Sequence, residues 1–146
     1  MAEVLNNRRG ILLISLQVDL DTVGLKILHY TLLQQKMDST LLYLPAFDGN
    51  DFFALEHLSR FITHISPCAV GISLMSHEYH GVARVTDFLK TRFDDLPVIW
   101  GGIHPMIAPD MCLDHADYIC LGEGETVLPV FVQSLQRGET PDAFPN

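Results

Sequence analysis

Short apolar runs alternate with amphipathic stretches along most of the chain. Residues 11–16 are apolar except for Ser15, and residues 39–44, 68–75, 98–100 and 117–121 are runs of the same kind. Runs of this length, closed by Pro, Gly or Asp, read as strands. Stretches such as Val70-Gly71-Ile72 do not alternate between apolar and polar, as expected for strands covered on both faces. The intervening stretches have helical periodicity. Leu25, Leu28 and Leu32 recur within 22–36, with Thr22 placed as N-cap. Asp51 is placed to cap a helix carrying Leu55, Leu58, Ile62 and Ile65, which ends near Ser66-Pro67. Residues 78–92 carry Val82, Val85 and Leu89. Residues 106–113 read as a short helix, and 123–135 as a last one with Val127, Phe131 and Leu135 inward.

Five strands alternating with five helices predict an α/β domain with a parallel sheet. Right-handed crossovers leave few topologies, and the flavodoxin-like (Rossmann-like) order 2-1-3-4-5 is the expected one. In that fold ligands bind at the carboxyl ends of the strands, at the switch point between strands one and three. The loops there are 17–24, 73–79, 101–105 and 122–125, so the sheet alone locates the site.

Composition narrows the function classes. At 146 residues the chain is one domain by length. Its formal charge of -9 argues against nucleic acid and anionic membrane surfaces as partners. No run approaches the ~18 apolar residues of a membrane span, and the run after Arg8 and Arg9 is too short for a signal-peptide core. The cytoplasm is therefore the expected compartment. Cys68, Cys112 and Cys120 are odd in number and widely spaced, which gives neither a disulfide framework nor a zinc or iron–sulfur spacing. Cys68 and Cys120 lie in strand-like runs and read as buried small hydrophobes, Cys112 as a helix residue. Residues 1–10 read as a disordered or extended N-terminus, 11–136 as the domain, and 137–146, with Gly138, Pro141 and Pro145, as a linker to a further module.

The stretch Pro97-Val-Ile-Trp-Gly-Gly-Ile-His-Pro105 holds the sharpest local signal. Two adjacent glycines at the end of a buried strand let a ligand touch the main chain, or serve a tight strand-to-helix turn, with Pro105 at a plausible first helical position. Asp19 and Asp21 precede a helix, where N-terminal capping alone would place them. A phosphoacceptor receiver would need an Asp ending strand three and a Lys ending strand five. Those positions read Ser73-Leu74-Met75 and Leu121-Gly122. A flavin-phosphate loop rich in Ser, Thr and Gly is missing after strand one.

Together, Asp19-x-Asp21-x-x-Gly24, Ser73-x-Met75 and Gly101-Gly102 resemble the signature of cobalamin-binding domains, which is Asp-x-His-x-x-Gly, Ser-x-Leu and Gly-Gly on this same fold. The resemblance covers nearly the whole chain. Asp21 stands where that family has its cobalt-ligating histidine, and Met75 where it has leucine. Gly101-Gly102-Ile103-His104-Pro105 with Asp117-Tyr118-Ile119 and Gly122-Glu123-Gly124-Glu125 is similar to the N-terminal domain of cobalamin-dependent radical S-adenosylmethionine proteins of the Mg-protoporphyrin cyclase type. Members of that group commonly lack the histidine. Their Cys-x-x-x-Cys-x-x-Cys is absent here and would lie downstream of residue 146.

The resemblance implies a cobalamin-binding module with no catalytic residue of its own. Cobalamin would bind with its base detached, its nucleotide tail in the sheet and its corrin over the strand ends. The 4Fe–4S cluster and S-adenosylmethionine would belong to a C-terminal radical domain in the same chain, whose reaction would be a methyl transfer or ring closure. The implied cofactor-binding residues are Asp19, Asp21, Thr22, Val23, Gly24, Gly71, Ser73, Leu74, Met75, Gly101, Gly102, Ile103, His104, Gly122, Glu123 and Gly124. From residue chemistry alone, Gly71, Ser73, Gly101 and Gly102 leave room at neighbouring strands, and Gly24 would let the first helix approach closely. Asp21 is a hard oxygen donor that suits water or a backbone N–H better than low-valent cobalt. His104 is the one side chain placed as a possible cobalt ligand, against the simpler reading of a loop histidine bonded to its neighbours. His77 and His80 read as solvated or facing a partner, and Glu123 and Glu125 as helix caps or interface. The competing function is a flavodoxin-like interaction or assembly domain that holds no cofactor, which the fold alone does not separate from the first.

Overall fold

Ile11–Ser15 is buried along its whole length and forms β1, the second strand of the sheet. The computed structural model describes residues 8–141. Most of the expected N-terminal extension, 1–7, and the end of the expected linker, 142–146, lie outside the described residues. After β1 come α1 (Val23–Gln34), β2 (Ser39–Tyr43), α2 (Phe52–Ile65), β3 (Ala69–Ser73), a 3-10 turn (Ser76–Glu78) and α3 (Tyr79–Arg92). Then follow β4 (Val98–Gly101), the short helices α4 (Ile103–Ile107) and α5 (Pro109–Leu113), β5 (Tyr118–Ile119) and α6 (Gly124–Gln136). The sheet is parallel throughout, in the order β2-β1-β3-β4-β5. This is the flavodoxin-like order expected from the alternation.

Each face of the sheet carries its own core. On one face Leu12, Ile14, Val70, Ile72 and Trp100 meet Leu58 and Ile62 of α2 and Val82, Val85 and Leu89 of α3. On the other, Ile11, Leu13 and Ile99 meet Leu25 and Leu32 of α1 and Leu128, Phe131 and Val132 of α6. The split follows from strand geometry, since successive side chains leave on opposite faces. Trp100 is fully buried, and its indole N–H donates to Thr86 Oγ1 at 2.9 Å, so its polar atom carries no desolvation penalty.

The helix ends show how local sequence sets the boundaries. Asp51 Oδ1 accepts from the N–H groups of Phe53 and Ala54, capping α2 as expected. Thr22 precedes α1, but its hydroxyl donates to Tyr43 Oη at 3.2 Å and leaves the helix uncapped by its side chain. The single helix expected over 106–113 is two helices. Pro109 drives Ala108 out of the helical region, to φ -137°, and the chain restarts as α5. Pro105 is accordingly the third residue of α4, not the first, where its missing N–H still costs nothing. After α6, Gly138 has φ 72°, and the N–H groups of Gly138 and Glu139 donate back to Leu135 and Ser134, a Schellman stop. Below the sheet, Arg8 Nη2 lies 2.9 Å from Asp95 Oδ1, so the last part of the 1–10 segment is docked.

All three cysteines are free and buried, as expected for Cys68 and Cys120. Burial pushes the Cys68 thiol up from 9.0 to about 11. The unfolded chain ionises this thiol first. Its contribution is therefore complete below pH 9 and is lost as pH rises toward 11. Equilibrium unfolding at stepped pH is expected to show this contribution as a difference between the parent and Cys68→Ala, the parent losing on the order of 2 kcal/mol more across that window.

Candidate functional site: a glycine-lined cleft at the strand ends

Helices α1 and α6 lie side by side over β1, β3 and β4, and between their N-terminal turns the sheet is uncovered. The register explains the gap. Leu13, Gly71 and Ile99 are aligned across β1, β3 and β4, and two residues nearer the carboxyl ends Ser15, Ser73 and Gly101 are aligned in the same way. Glycine in the middle of the first row and small residues throughout the second leave no side chain to fill the space. The result is a cleft of about 210 Å³. That is below the ~300–1,000 Å³ of sites that enclose a whole drug-sized ligand, so it suits one arm of a larger molecule.

The cleft has an apolar floor and a polar mouth. Leu13, Leu25, Ile99, Cys120 and Leu128 are buried and line its inner part, with Leu28 of α1 closing one side. The Cys120 thiol donates to the Gly122 carbonyl at 3.6 Å. Ser73, Gly24, Gly101, Gly102, Gly122, Glu123, Gly124 and Glu125 complete the lining, and the carboxylates belong to the turn that starts α6. The Ser73 hydroxyl makes no hydrogen bond among the described residues.

The glycines differ in what holds them there. Gly102 has φ 95°, and a Cβ on it would lie 2.8 Å from the Leu74 carbonyl oxygen and 3.0 Å from Ser73 Oγ. Around it the Leu74 N–H donates to Gly101 and the His104 N–H donates to Leu74, which ties the β4 loop across the end of β3. Gly102 is thus required by the fold. Gly71 and Gly124 are also packed, each with a Cβ position 2.8–2.9 Å from a leucine methyl, Leu13 and Leu28 respectively. Gly24 and Gly122 differ: a Cβ on either would meet nothing within 4 Å. A Cβ on Gly101 would meet only Cys120 Cβ, at 3.7 Å. None of these three has a left-handed φ, so neither packing nor backbone strain accounts for glycine there. In particular, no helix approaches at Gly24, contrary to the expected reason for that glycine.

Of the residues singled out from sequence, Gly24, Gly71, Ser73, Gly101, Gly102, Gly122, Glu123 and Gly124 come together in this lining. Asp19, Asp21 and Thr22 lie in the loop between β1 and α1, Val23 is the first residue of α1, and none of the four is part of the lining. Asp19 Oδ1 accepts from the Asp21 N–H at 2.9 Å, and the Asp21 side chain is 87% exposed, 3.8 Å from Lys26 Nζ. Leu74 is fully buried, whereas Met75 and Ile103 are exposed, as are Val18 and Leu20 after β1 and Met106 after β4. His104 is 7% exposed and lies with the other core, its Nδ1 3.0 Å from Ser76 Oγ and its ring 5.0 Å from Tyr79. It is not part of the cleft lining. His77 is exposed, as expected. Sequence reading missed the floor, because Leu25, Leu28 and Leu128 carry the same periodicity as core residues. The register of Leu13 and Ile99 beside Gly71 was the available signal. No group of three or more His, Cys, Asp or Glu among the described residues is arranged to hold a metal ion, and no helix among them is long and apolar enough to cross a membrane.

Gly102→Ala is expected to destabilise the domain by about 1–2 kcal/mol, because alanine is strained at this φ and meets Leu74. Gly101→Ala is expected to stay within about 0.5 kcal/mol of the parent. Paired urea titrations measure both.

The comparisons with known proteins agree with this architecture. The radical S-adenosylmethionine methyltransferase TsrM from Kitasatospora setae, solved with cobalamin and a 4Fe–4S cluster bound, superposes with a TM-score of 0.74 at 20% identity over 91% of this chain. The same enzyme solved with tryptophan substrate and an analogue of S-adenosylmethionine gives the same TM-score and identity over 90% of this chain. The chain spans only 26–27% of TsrM's length. A CheY-like protein, tadZ, from Pseudomonas aeruginosa PAO1 superposes at TM-score 0.61 and 15% identity, over 92% of this chain and 98% of that one. At these identities the likeness is one of fold. No curated protein matches the chain. Residues 9–132 match the B12 binding domain, and the chain belongs to that family.

Proposed function

We propose that this domain binds cobalamin in the base-off form, with the nucleotide tail in the cleft between α1 and α6 and the corrin over the loops that follow β1, β3 and β4. The observation that carries this reading is the set of glycines at 24, 101 and 122, which the fold itself does not require and which border an apolar-floored cleft. An occupant that passes close to the main chain accounts for all three. Ser73, whose hydroxyl has no hydrogen-bond partner among the described residues, would donate to the tail as it enters. The exposed apolar side chains of Val18 and Leu20 after β1, and of Ile103 and Met106 after β4, at the carboxyl ends of the strands, suit a broad, largely apolar macrocycle.

The cofactor would sit without a histidine beneath cobalt. Asp21 occupies the signature position, and its carboxylate turns toward Lys26 and solvent. His104 stands outside the cleft lining, with Nδ1 3.0 Å from Ser76 Oγ and Nε2 buried without a partner among the described residues, so this reading assigns no side chain to the metal. When bound, cobalamin supplies a cobalt centre able to carry a methyl group or exchange electrons, and the protein contributes position and environment. In this reading residues 11–136 are the binding domain and 137–146 lead to a C-terminal radical S-adenosylmethionine domain holding a 4Fe–4S cluster, in a protein of the Mg-protoporphyrin cyclase-like group acting as methyltransferase or cyclase. The domain presents the corrin to that partner and catalyses nothing alone. Its likeness in fold to about a quarter of TsrM is consistent with one module of a larger enzyme.

The test is retention of cobalamin. The protein mixed with hydroxocobalamin and desalted is expected to keep close to one equivalent, with a base-off visible spectrum. Gly101→Val puts a branched side chain into the cleft and is expected to weaken retention at least tenfold with an unchanged thermal midpoint. Failure of the parent protein to retain the cofactor overturns the reading in favour of a cofactor-free interaction domain, and a base-on spectrum overturns the tail placement.

A further inference from the structure

The inner part of the cleft offers an occupant nothing to hydrogen-bond. Leu13, Leu25, Ile99 and Leu128 are hydrocarbon, and the Cys120 thiol is engaged with the Gly122 carbonyl. The backbone beneath, at Gly71 and Ile99, is committed to the parallel ladders with β1, β4 and β5. The free polar groups are those of the strand tip and the first helical turns: the Ser73 hydroxyl, the carboxylates of Glu123 and Glu125, and the first N–H groups of α1 and α6, which no side chain caps. A flat ring pushed to the floor therefore exchanges water for hydrocarbon on every edge. This suits a ring with few polar atoms. It penalises one bearing an exocyclic amine and several ring nitrogens, each of which gives up a hydrogen bond to water without replacement.

Cobalamin-type cofactors differ in the base at the end of the tail: a benzimidazole or phenol in some, a purine in others. We infer that this cleft discriminates among them and accepts cobamides with a benzimidazole-type base over those with a purine. The inference rests on the placement of the tail in the cleft and adds the chemical class of the group at its tip. Discrimination comes from leaving purine edges unpaired, which rejects more strongly than a difference in size.

Dissociation constants for cobalamin, adeninylcobamide and tail-less cobinamide, measured by calorimetry on the same protein, separate this inference from the reading beneath it. Cobalamin is expected to bind at least tenfold more tightly than adeninylcobamide, equivalent to about 1.4 kcal/mol, and also more tightly than cobinamide. Equal affinity for the two cobamides, with cobinamide weaker than both, overturns the selectivity and leaves the tail placement standing. Equal affinity for all three overturns both. Leu28→Asn sets an amide beside the floor from a half-buried helix position. It is expected to narrow the cobalamin-to-adeninylcobamide ratio several-fold, a change that a purely structural role for Leu28 would not produce. An unchanged ratio in a folded variant contradicts the inference.

Discussion

The structure turns on the omission of side chains from one patch of a parallel sheet. Gly71 lies between Leu13 and Ile99, and Ser73 and Gly101 continue the small residues to the strand tips. Elsewhere on that face, helices pack directly onto strand residues such as Ile11, Leu13 and Ile99. Sheet and helices normally close to the density of an organic crystal. A gap of about 210 Å³ is maintained here because α1 and α6 rest on their own contacts further down, while their first turns carry glycine where they face each other. Leu28 packed against Gly124 fixes the spacing of the two helices at the mouth.

The opposite face explains why the gap stays where it is. Trp100, bonded to Thr86 and set edge-on to Tyr79, anchors β4 from behind. The loop that leaves β4 is tied to β3 through Leu74, and the left-handed Gly102 permits that crossing. His104 is held in the same layer by Ser76 and Tyr79. The residues around Gly102 therefore have structural tasks, whereas at Gly101, one position earlier, the backbone pairs with β3 but neither packing nor φ calls for glycine. This division separates a rigid frame from a surface free to meet a ligand, and rigid frames make precise sites.

Much of the fold was legible because burial on both faces leaves a distinctive trace: unalternating strands such as Val70-Gly71-Ile72 between helices of clear period. The exceptions have local causes. Pro109 split one expected helix, and the Thr22 hydroxyl turned to Tyr43 instead of the helix end. At the site, glycine and serine positions could be read because they are exceptions within an apolar run. The floor could not, since Leu25, Leu28 and Leu128 look the same in sequence whether they face a core or a cavity. Gly101 and Gly102 were indistinguishable by type, and only the backbone angle and neighbours told them apart. The role of His104 was equally open in sequence. Its fixed position between glycine and proline fits either a ligand or a packed ring, and the ring lies against Tyr79.

The central claim is that the tail of the cofactor reaches Gly71. Amide resonances of the 15N-labelled protein, recorded during titration with cobalamin and separately with tail-less cobinamide, test it directly. The account predicts that cobalamin shifts Gly71, Gly101 and Gly122, that Gly49 and Gly81 on the opposite face stay in place, and that cobinamide leaves Gly71 unmoved. A bound cobalamin that leaves Gly71 unshifted would contradict it.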